Sequence, residues 1–264
     1  MTNHPAEPSK TARLQIVRSV MLGHAIADAM GVPVEFSDRS RRKRDPVTGY
    51  RCYGAHDVPA GTWSDDTSMA LATLDSLAHG LDYTDMMERF CDWKLHAAYT
   101  ATGVVFDMGI TTSKELSQFK QGVPALSCGL SGEYDNGNGS LMRIIPAALY
   151  CKYACADLSL DERLAIIHNV SALTHSHPRS QMGCGIYALI LMELCDGRGI
   201  AGIQAGIDRA KRYYEANPVF SKELGSYARI LNCLSIMDFA RMPEDEIKTA
   251  AMWFPRWKPR CGAC

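Results

Sequence analysis

The sequence has no long hydrophobic run, no large excess of either charge and no useful length of strand-like alternation. No apolar run reaches the roughly 20 residues that span a bilayer. Residues 1–10 are polar, contain no apolar signal core and are expected to be disordered. The formal net charge is −1, whereas general nucleic-acid binders carry a basic excess. These absences predict a cytoplasmic protein that binds neither membranes nor nucleic acid in general.

Cysteine is plentiful, with ten residues, but its distribution does not suggest a disulfide framework. Several cysteines lie inside apolar helical patterns, where a free thiol behaves as a small buried hydrophobe. This usage favours a reducing cytosol. Cys261 and Cys264 have the spacing of a thiol pair or of half a zinc site, which is a weak signal without a second pair. The basic cluster at 39–44 is interpreted as a solvated loop surface.

Apolar residues recur with a helical period along most of the chain. The predicted helical segments are 11–30, 65–79, 83–97, a short helix after 112, 140–154, 161–174, 178–195, 199–215, 219–238 and 243–252. The stretch 37–60 is predicted to be a loop rich in charge, Gly and Pro. No internal repeat is evident, so the fold class is all-α, with a single-domain helical bundle over 11–250.

Ser64, Asp65, Asp66 and Thr67 place four oxygen-bearing side chains in a row where a loop becomes a helix. One interpretation is a well-capped helix, since Ser or Asp at the N-cap and acids in the first turn are favourable. However, a cap needs a single acceptor, and adjacent acids repel unless a cation or proton lies between them. The alternative is a site for Mg²⁺, Mn²⁺ or Ca²⁺, which prefer oxygen ligands.

Three other acids stand out by their positions. Asp28 lies among apolar residues of the first helix, where a buried acid needs a partner. Glu35 follows the end of that helix and, taken alone, fits a surface acid. Asp107 lies between glycines ahead of a short helix, where a turn and helix cap would explain it.

The segment 135–143 alternates Asn and Gly before a predicted helix starting at Ser140. Backbone N–H groups of such a loop, together with a helix N-terminus, suit a phosphate, although a plain Asn/Gly turn explains the pattern equally well. His175 and His177 follow further on. Their spacing suits either a transition metal or a contact with phosphate or ribose, and two histidines alone are weak evidence for a metal.

Taken in order, these motifs resemble the ADP-ribosylglycohydrolase family, whose members remove ADP-ribose from proteins or small acceptors. Residues 23–36 are similar to the family's first helix with its Gly-Val-Pro-x-Glu ending. Residues 63–67 are similar to its first metal motif, with Ser64 where Thr is commoner. The segments 106–112, 136–143 and 174–178 follow in the family's order. The resemblance covers about residues 12 to 250 and implies an orthogonal helical bundle of the family's type.

The resemblance also implies roles for individual residues. Ser64, Asp65 and Asp66 would bind a two-metal centre of Mg²⁺, or of Mn²⁺ in some members. Glu35 would be a gating or catalytic acid near the metals, and Asp107 would be catalytic beside the scissile ribose. The implied diphosphate and ribose contacts are Gly137, Asn138, Gly139, Ser140 and His175. The implied reaction is hydrolysis at the anomeric carbon, in which metals hold the ribose hydroxyls and a water while carboxylates handle the proton.

The last part of the sequence departs from the family. A late Gly-Gly-Asp-Thr-Asp-Thr motif completes the family's metal centre and is missing here, and residues 251–264 lose the helical period. One hypothesis is a one-base reading-frame slip near Ala250, since another frame can read GYVVPTVEAALWCL; the DNA beyond that codon tests it. On this hypothesis the terminal Cys pair is accidental. With half of its two-metal centre missing, the chain is expected to be weak or inactive.

Three functions remain open from the sequence. The first is an ADP-ribosyl hydrolase acting on a modified protein or on a small molecule that contains ADP-ribose. The second is a non-catalytic binder of ADP-ribose or another nucleotide, and the third is a purely structural helical protein. A monomer is expected, although no residue pattern fixes the oligomeric state or the acceptor.

Overall fold

The chain is described by a computed structural model over residues 9–233 and 235–243. Within these ranges it forms eleven α-helices, with one isolated bridge between Leu130 and His175 and no β-strand, so the all-α prediction is confirmed. The helices are α1 (Lys10–Gly31), α2 (Arg39–Arg44), α3 (Asp65–Ala78), α4 (Tyr83–His96), α5 (Ile110–Lys120), α6 (Ile145–Tyr153), α7 (Leu160–Ala172), α8 (Pro178–Leu194), α9 (Ile200–Ala216), α10 (Ala228–Leu231) and α11 (Ile236–Ala240). None of them combines the length and apolar content of a transmembrane span.

Some predicted features lie outside the described residues. They are residues 1–8 of the segment predicted to be disordered at 1–10, nearly all of the helix predicted at 243–252, and the segment 251–264 with its two terminal cysteines. The last two residues of the segment 1–10 are ordered, since Ser9 caps α1 and Lys10 begins it. The described cysteines are all free thiols, and Cys151 and Cys184 are buried in the core as expected.

Two adjoining apolar clusters form the core. The larger one is shared by α3, α4, α6, α7 and α8, and its centre contains the fully buried Met69, Phe90 and Trp93. The smaller one packs α8 and α9 against the chain that follows, around Tyr214 and Phe220. The helix ends that carry the polar motifs lie outside these clusters, which leaves them available for a ligand.

The close approach of α9 to α8 depends on Gly206. A Cβ atom built at Gly206 would lie 2.5 Å from the Cα of Ile190, which is backbone and cannot rotate away. Replacing Gly206 with alanine is therefore expected to lower the free energy of unfolding by about 1–3 kcal/mol, measured by urea denaturation.

Gly23 provides a control at which the same substitution should raise the free energy of unfolding. It lies inside α1, and a Cβ there would have no neighbour within 4 Å. Because alanine has the higher helix propensity, Gly23→Ala should stabilise the protein by up to about 1 kcal/mol. Equal effects of the two substitutions would contradict the α8–α9 packing.

Three predicted segments were wrong. The loop predicted at 37–60 contains α2, which Asp38 caps by accepting the N–H of Arg41 at 2.7 Å. The helix predicted from Ser140 begins only at Ile145, because Pro146 fits the first turn of a helix and lacks the N–H that an interior position needs. The single helix predicted at 219–238 is instead two short 3₁₀ turns followed by α10 and α11.

Candidate functional site

An acidic cavity of about 480 Å³ opens where the C-terminal end of α1 meets the N-terminal end of α3. Its polar lining comes from α1, the turn after it, the start of α3 and the segment before α5. These side chains are His24, Asp28, Glu35, Ser64, Asp66 and Asp107. Five residues singled out in the sequence therefore share one cavity: Asp28, Glu35, Ser64, Asp66 and Asp107.

Asp28 is the acid that anchors α3 to α1. Its carboxylate accepts the Ser64 hydroxyl at 2.8 Å, the Ser64 N–H at 3.0 Å and the Thr67 N–H at 3.0 Å. The Ser64 hydroxyl oxygen in turn accepts the N–H of Asp66 at 3.2 Å, so Ser64 is the N-cap. The first turn of α3 is therefore satisfied without the carboxylates of Asp65 and Asp66, which are left for another partner.

Burial and mutual repulsion disfavour the charged forms of these two carboxylates. Burial raises the pKa of Asp65 to about 9, and the negative charges of Asp66, Asp107, Asp28 and Glu35 add to the shift. Burial raises the pKa of Asp66 to about 7, with Asp28, Glu35 and Asp107 adding to it. In the described part of the chain, neither carboxylate accepts a hydrogen bond or contacts a basic side chain. Burial and repulsion of this kind are relieved by a proton or by a cation.

Asp107 faces the same cavity from an unusual backbone conformation. Its φ of 58° lies in the left-handed region, where aspartate is tolerated better than most residues. Burial raises the pKa of its carboxyl group to about 6, with a further rise from Glu35 and a smaller opposing effect of His56. The N-cap of α5 is Gly109, so the interpretation of Asp107 as a helix cap is wrong.

His56 belongs to this site and was missed in the sequence. Its Nε2 atom lies 2.6 Å from Oε2 of Glu35 and 4.0 Å from Oδ2 of Asp107. One ligand atom from each of these three residues lies within 4.8 Å of the others, so the group could hold a metal ion. No local pattern around His56 indicated this, because its partners lie 21 and 51 positions away in the chain.

A second polar group surrounds the Asn/Gly loop. A Cβ atom at Gly139 would lie 2.8 Å from Cε1 of His175, so this position needs glycine or a shifted ring, whereas one at Gly137 would lie in ordinary contact 3.5 Å from Nε2 of the same ring. The buried Ser140 hydroxyl accepts a hydrogen bond from Ser171 at 2.8 Å, and Asn138 is exposed. The structure thus places Gly137, Gly139 and Ser140 next to His175 or its supporting residues.

Arg143 is a buried cation directly behind that loop. It donates hydrogen bonds to the carbonyl oxygen of Gly139 at 2.8 Å and to Oγ1 of Thr174 at 2.8 Å. Burial lowers the pKa of Arg143 to about 10, which still leaves it charged at neutral pH. The positive charge near the loop therefore comes from this guanidinium group, whereas the N-terminus of a helix starting at Ser140 was expected to supply it.

His175 is held in its neutral form. Burial, together with the nearby charge of Arg143, lowers the pKa of His175 to about 3. Its Nδ1 atom is hydrogen-bonded to Oγ1 of Thr174 at 2.7 Å. His177 has a different task, because its Nδ1 accepts the N–H of Arg179 at the start of α8. The two histidines are therefore not paired with each other.

The acidic cavity and the Asn/Gly loop are linked by the segment between Asp107 and Thr112. Thr112 lies five positions after Asp107, and its Oγ1 atom would be 3.3 Å from a Cβ atom built at Gly139. The Asn/Gly loop and the acidic cavity therefore lie on either side of one short segment, so that a ligand with an anionic part and a sugar part could contact both.

The family model for ADP-ribosylglycohydrolase matches residues 9–253. ADP-ribosylarginine hydrolase Tri1 of Serratia proteamaculans (strain 568) is 31% identical over 187 residues, which cover 70% of this chain and 48% of that protein. ADP-ribosyl-dinitrogen reductase glycohydrolase of Rhodospirillum rubrum is 29% identical over 199 residues, covering 71% of this chain and 60% of that protein.

A solved structure described as an ADP-ribosylglycohydrolase-related protein complex has a similar fold. Its TM-score is 0.62 at 25% identity, and the match covers 82% of this chain and 69% of that chain. The chain spans about half the length of the curated relatives it matches. Since the family model matches nearly the whole sequence and the fold agrees, the chain belongs to the ADP-ribosylglycohydrolase family.

Proposed function

We propose that this protein hydrolyses the bond between ADP-ribose and a modified acceptor, with a divalent cation at the start of α3. The observation that carries the proposal is the clustering of five acids in and beside one cavity. Four of them, Asp28, Glu35, Asp66 and Asp107, line the cavity, and the fifth, Asp65, is buried close enough for their charges to raise its pKa. Of these, only Asp28 uses its carboxylate to satisfy the backbone of a neighbouring helix.

The donor set suits a hard divalent cation. Asp65 and Asp66 offer carboxylate oxygens and Ser64 a hydroxyl oxygen, which are the ligands that Mg²⁺ and Mn²⁺ prefer. Burial, followed by repulsion from the neighbouring carboxylates, raises the pKa of both aspartates, and a bound cation would offset both effects. When bound, such a cation would fix ribose hydroxyls and polarise a water molecule. Two ions, as in other family members, remain part of the proposal.

The chain's own residues would handle the proton and the sugar phosphate. Water adds to the anomeric carbon, the bond from that carbon to the acceptor breaks, and the acceptor leaves with a proton. Asp107, whose pKa is raised to about 6, and Glu35 beside it would take and give that proton. The backbone from Gly137 to Ser140, together with neutral His175 and the charge of Arg143 behind the loop, would hold the diphosphate and ribose.

Arginine is the acceptor to test first. The Serratia proteamaculans relative is named an ADP-ribosylarginine hydrolase. A cavity lined by several carboxylates attracts a cationic guanidinium group and disfavours an anionic acceptor. ADP-ribosylserine, whose leaving group is neutral, is the natural comparison.

The direct test is ADP-ribose release from ADP-ribosylarginine, measured by chromatography with Mg²⁺ or Mn²⁺ present and again after EDTA. Release that depends on the metal is the expected result, and EDTA should lower it to background. The low turnover expected from the sequence stays a prediction, and the same assay measures it. Absence of release with both metals and both acceptors would contradict the proposed hydrolase.

A non-catalytic ADP-ribose binder is the second candidate. It is favoured by the position of the Asn/Gly loop outside the acidic cavity. Calorimetry with ADP-ribose separates the two, since binding without release supports this candidate. For either function, His175→Ala should weaken ADP-ribose binding about tenfold, as expected for loss of one buried polar contact. The exposed His96→Ala on α4 is the control and should bind as the parent protein does.

A further inference from the structure

His56 lies between Glu35 and Asp107, but the proposed hydrolysis gives it no role. The short contact joins Nε2 of His56 to Oε2 of Glu35 at 2.6 Å. A carboxylate can only accept, so the proton of this hydrogen bond lies on Nε2 of the imidazole. The same nitrogen lies 4.0 Å from Oδ2 of Asp107, so a single N–H group faces both carboxylates.

The loop that carries His56 is fixed against the end of α1. Gly54 lies so close that a Cβ there would approach the carbonyl oxygen of Pro33 to 1.9 Å, so only glycine fits. The next residue, Ala55, donates its N–H to the same carbonyl oxygen at 3.1 Å. Pro33 in turn lies two positions before Glu35, so this contact sets the distance from His56 to Glu35.

Two aromatic rings flank the imidazole. The ring of Phe36 is edge-on to His56 with centroids 5.7 Å apart, and the ring of Phe106 lies 5.1 Å away. Each phenylalanine is the chain neighbour of one of the two acids. The imidazole is therefore held in place by the residues that precede or follow the carboxylates it faces.

We propose, on the basis of the proposed function, that His56 is a positioning residue for hydrolysis. Its Nε2–H fixes Glu35 and brings it next to Asp107, so that both carboxylates face the acidic cavity together. Glu35 lies on a turn and is 36% exposed, and two carboxylates within 4.8 Å of each other repel. Without the imidazole, the Glu35 side chain turns to solvent and the pair is lost.

His56→Phe and His56→Gln form the matched pair of variants. Phenylalanine keeps a ring between Phe36 and Phe106 but removes the N–H, whereas glutamine keeps an N–H donor at about the same reach. His56→Phe should lower kcat for ADP-ribosylarginine at least tenfold while KM changes less than threefold, and His56→Gln should recover at least a third of the parent kcat. The melting temperatures of both variants and of His96→Phe, a histidine on the exposed side of α4, control for folding.

A second measurement does not need turnover. In ¹⁵N-labelled protein, the ring Nε2–H signal of His56, identified by its loss in His56→Phe, should be present at neutral pH. Glu35→Gln should shift this signal strongly and Asp107→Asn should shift it less. A signal that Glu35→Gln leaves unmoved overturns the proposal.

The outcomes separate the two proposals. If the parent protein releases no ADP-ribose, the proposed function fails, while the ring signal still decides whether His56 holds Glu35. If the parent protein is active and His56→Phe keeps its kcat, the positioning role is wrong and the hydrolase stands. A glutamine variant as impaired as the phenylalanine variant also contradicts a role for the N–H.

Discussion

Asp66→Asn is expected to abolish the rise in melting temperature that Mg²⁺ or Mn²⁺ gives the parent protein, and to lower ADP-ribose release by a factor of about 10² or more. Asp66 lines the acidic cavity, and its neighbours Asp28, Glu35 and Asp107 all repel its charge. Asparagine keeps the size of the side chain but removes the negative charge, so the proposed cation loses a ligand. Melting curves with and without metal measure the first effect, and the release assay measures the second.

The control for this substitution lies on the same helix. Asp75 is also an aspartate of α3, but its carboxylate accepts a hydrogen bond from Tyr99 at 2.7 Å and pairs with Arg89. Asp75→Asn should therefore leave the metal-induced rise intact, even if it lowers the melting temperature itself. A metal-induced rise that survives in Asp66→Asn and disappears in Asp75→Asn would show that the cation binds elsewhere.

The elements that hold the site were predictable because their signals are local. For α1, α3 and α4, the observed bounds lie within one residue of the predicted ones, since apolar period and end signals agree. Ser64 is such an end signal, because it was recognised as a candidate N-cap and it caps α3 in the structure. The acids at these ends were also recognised, because their positions follow from the helix bounds.

The segment after α9 was not predictable from its period. Tyr227 donates its hydroxyl to the carbonyl oxygen of Arg179 at 2.7 Å, and Arg179 donates to Glu223 at 2.6 Å. These contacts join positions 44 and 48 apart, and they hold the chain in short turns where a continuous helix was expected. Tertiary contacts of this kind override a weak local propensity.

The set of site residues predicted from the sequence was incomplete for the same reason. His56 meets Glu35 only because Gly54 lies against the backbone of Pro33, a contact between residues 21 positions apart that no periodicity reports. Likewise, Asp28 could be recognised as an acid in need of a partner, but its partner, the first turn of α3, lies 36 to 39 positions away. The chemistry of each residue was therefore predictable, whereas its partners required the fold.

The unfolding free energy of the metal-free protein is expected to fall by about 2 kcal/mol as pH rises from 6.5 to 8. The pKa of Asp65 is about 9 in the folded protein, against an ordinary value of 3.8. Over this range the unfolded chain has already released that proton while the folded protein still binds it, so each step up in pH favours unfolding. Asp66, whose pKa is raised to about 7, adds to the fall in the lower part of this pH range.

Other groups also titrate in this range: the buried Glu115, whose pKa is raised by burial to about 7, adds to the fall, and two buried histidines oppose it. The pKa values of the buried His168 and His175 are lowered to about 4 and about 3, so stability is gained as their unfolded forms lose protons around the ordinary pKa of 6.5, and this gain is nearly complete only above about pH 7.5. Cysteine thiols with raised pKa values, such as that of Cys151 at about 12, matter only as pH approaches the thiol range. The fall between 6.5 and 8 therefore reports mainly on the buried acids.

Two variants and an added metal test whether Asp65 causes this fall in the free energy of unfolding. Each is measured by urea denaturation at four or five pH values. Asp65→Asn should remove most of the fall, because the amide does not titrate. Asp85→Asn should keep it, because the pKa of Asp85 is lowered by its hydrogen bond to Arg89 and the group is ionised throughout the range. Saturating Mg²⁺ or Mn²⁺ should flatten or reverse the fall, since a cation binds the ionised carboxylates and so favours folding more as pH rises. A fall that persists in Asp65→Asn and is unchanged by either metal would mean that the aspartate pair neither stores the proton nor binds the cation.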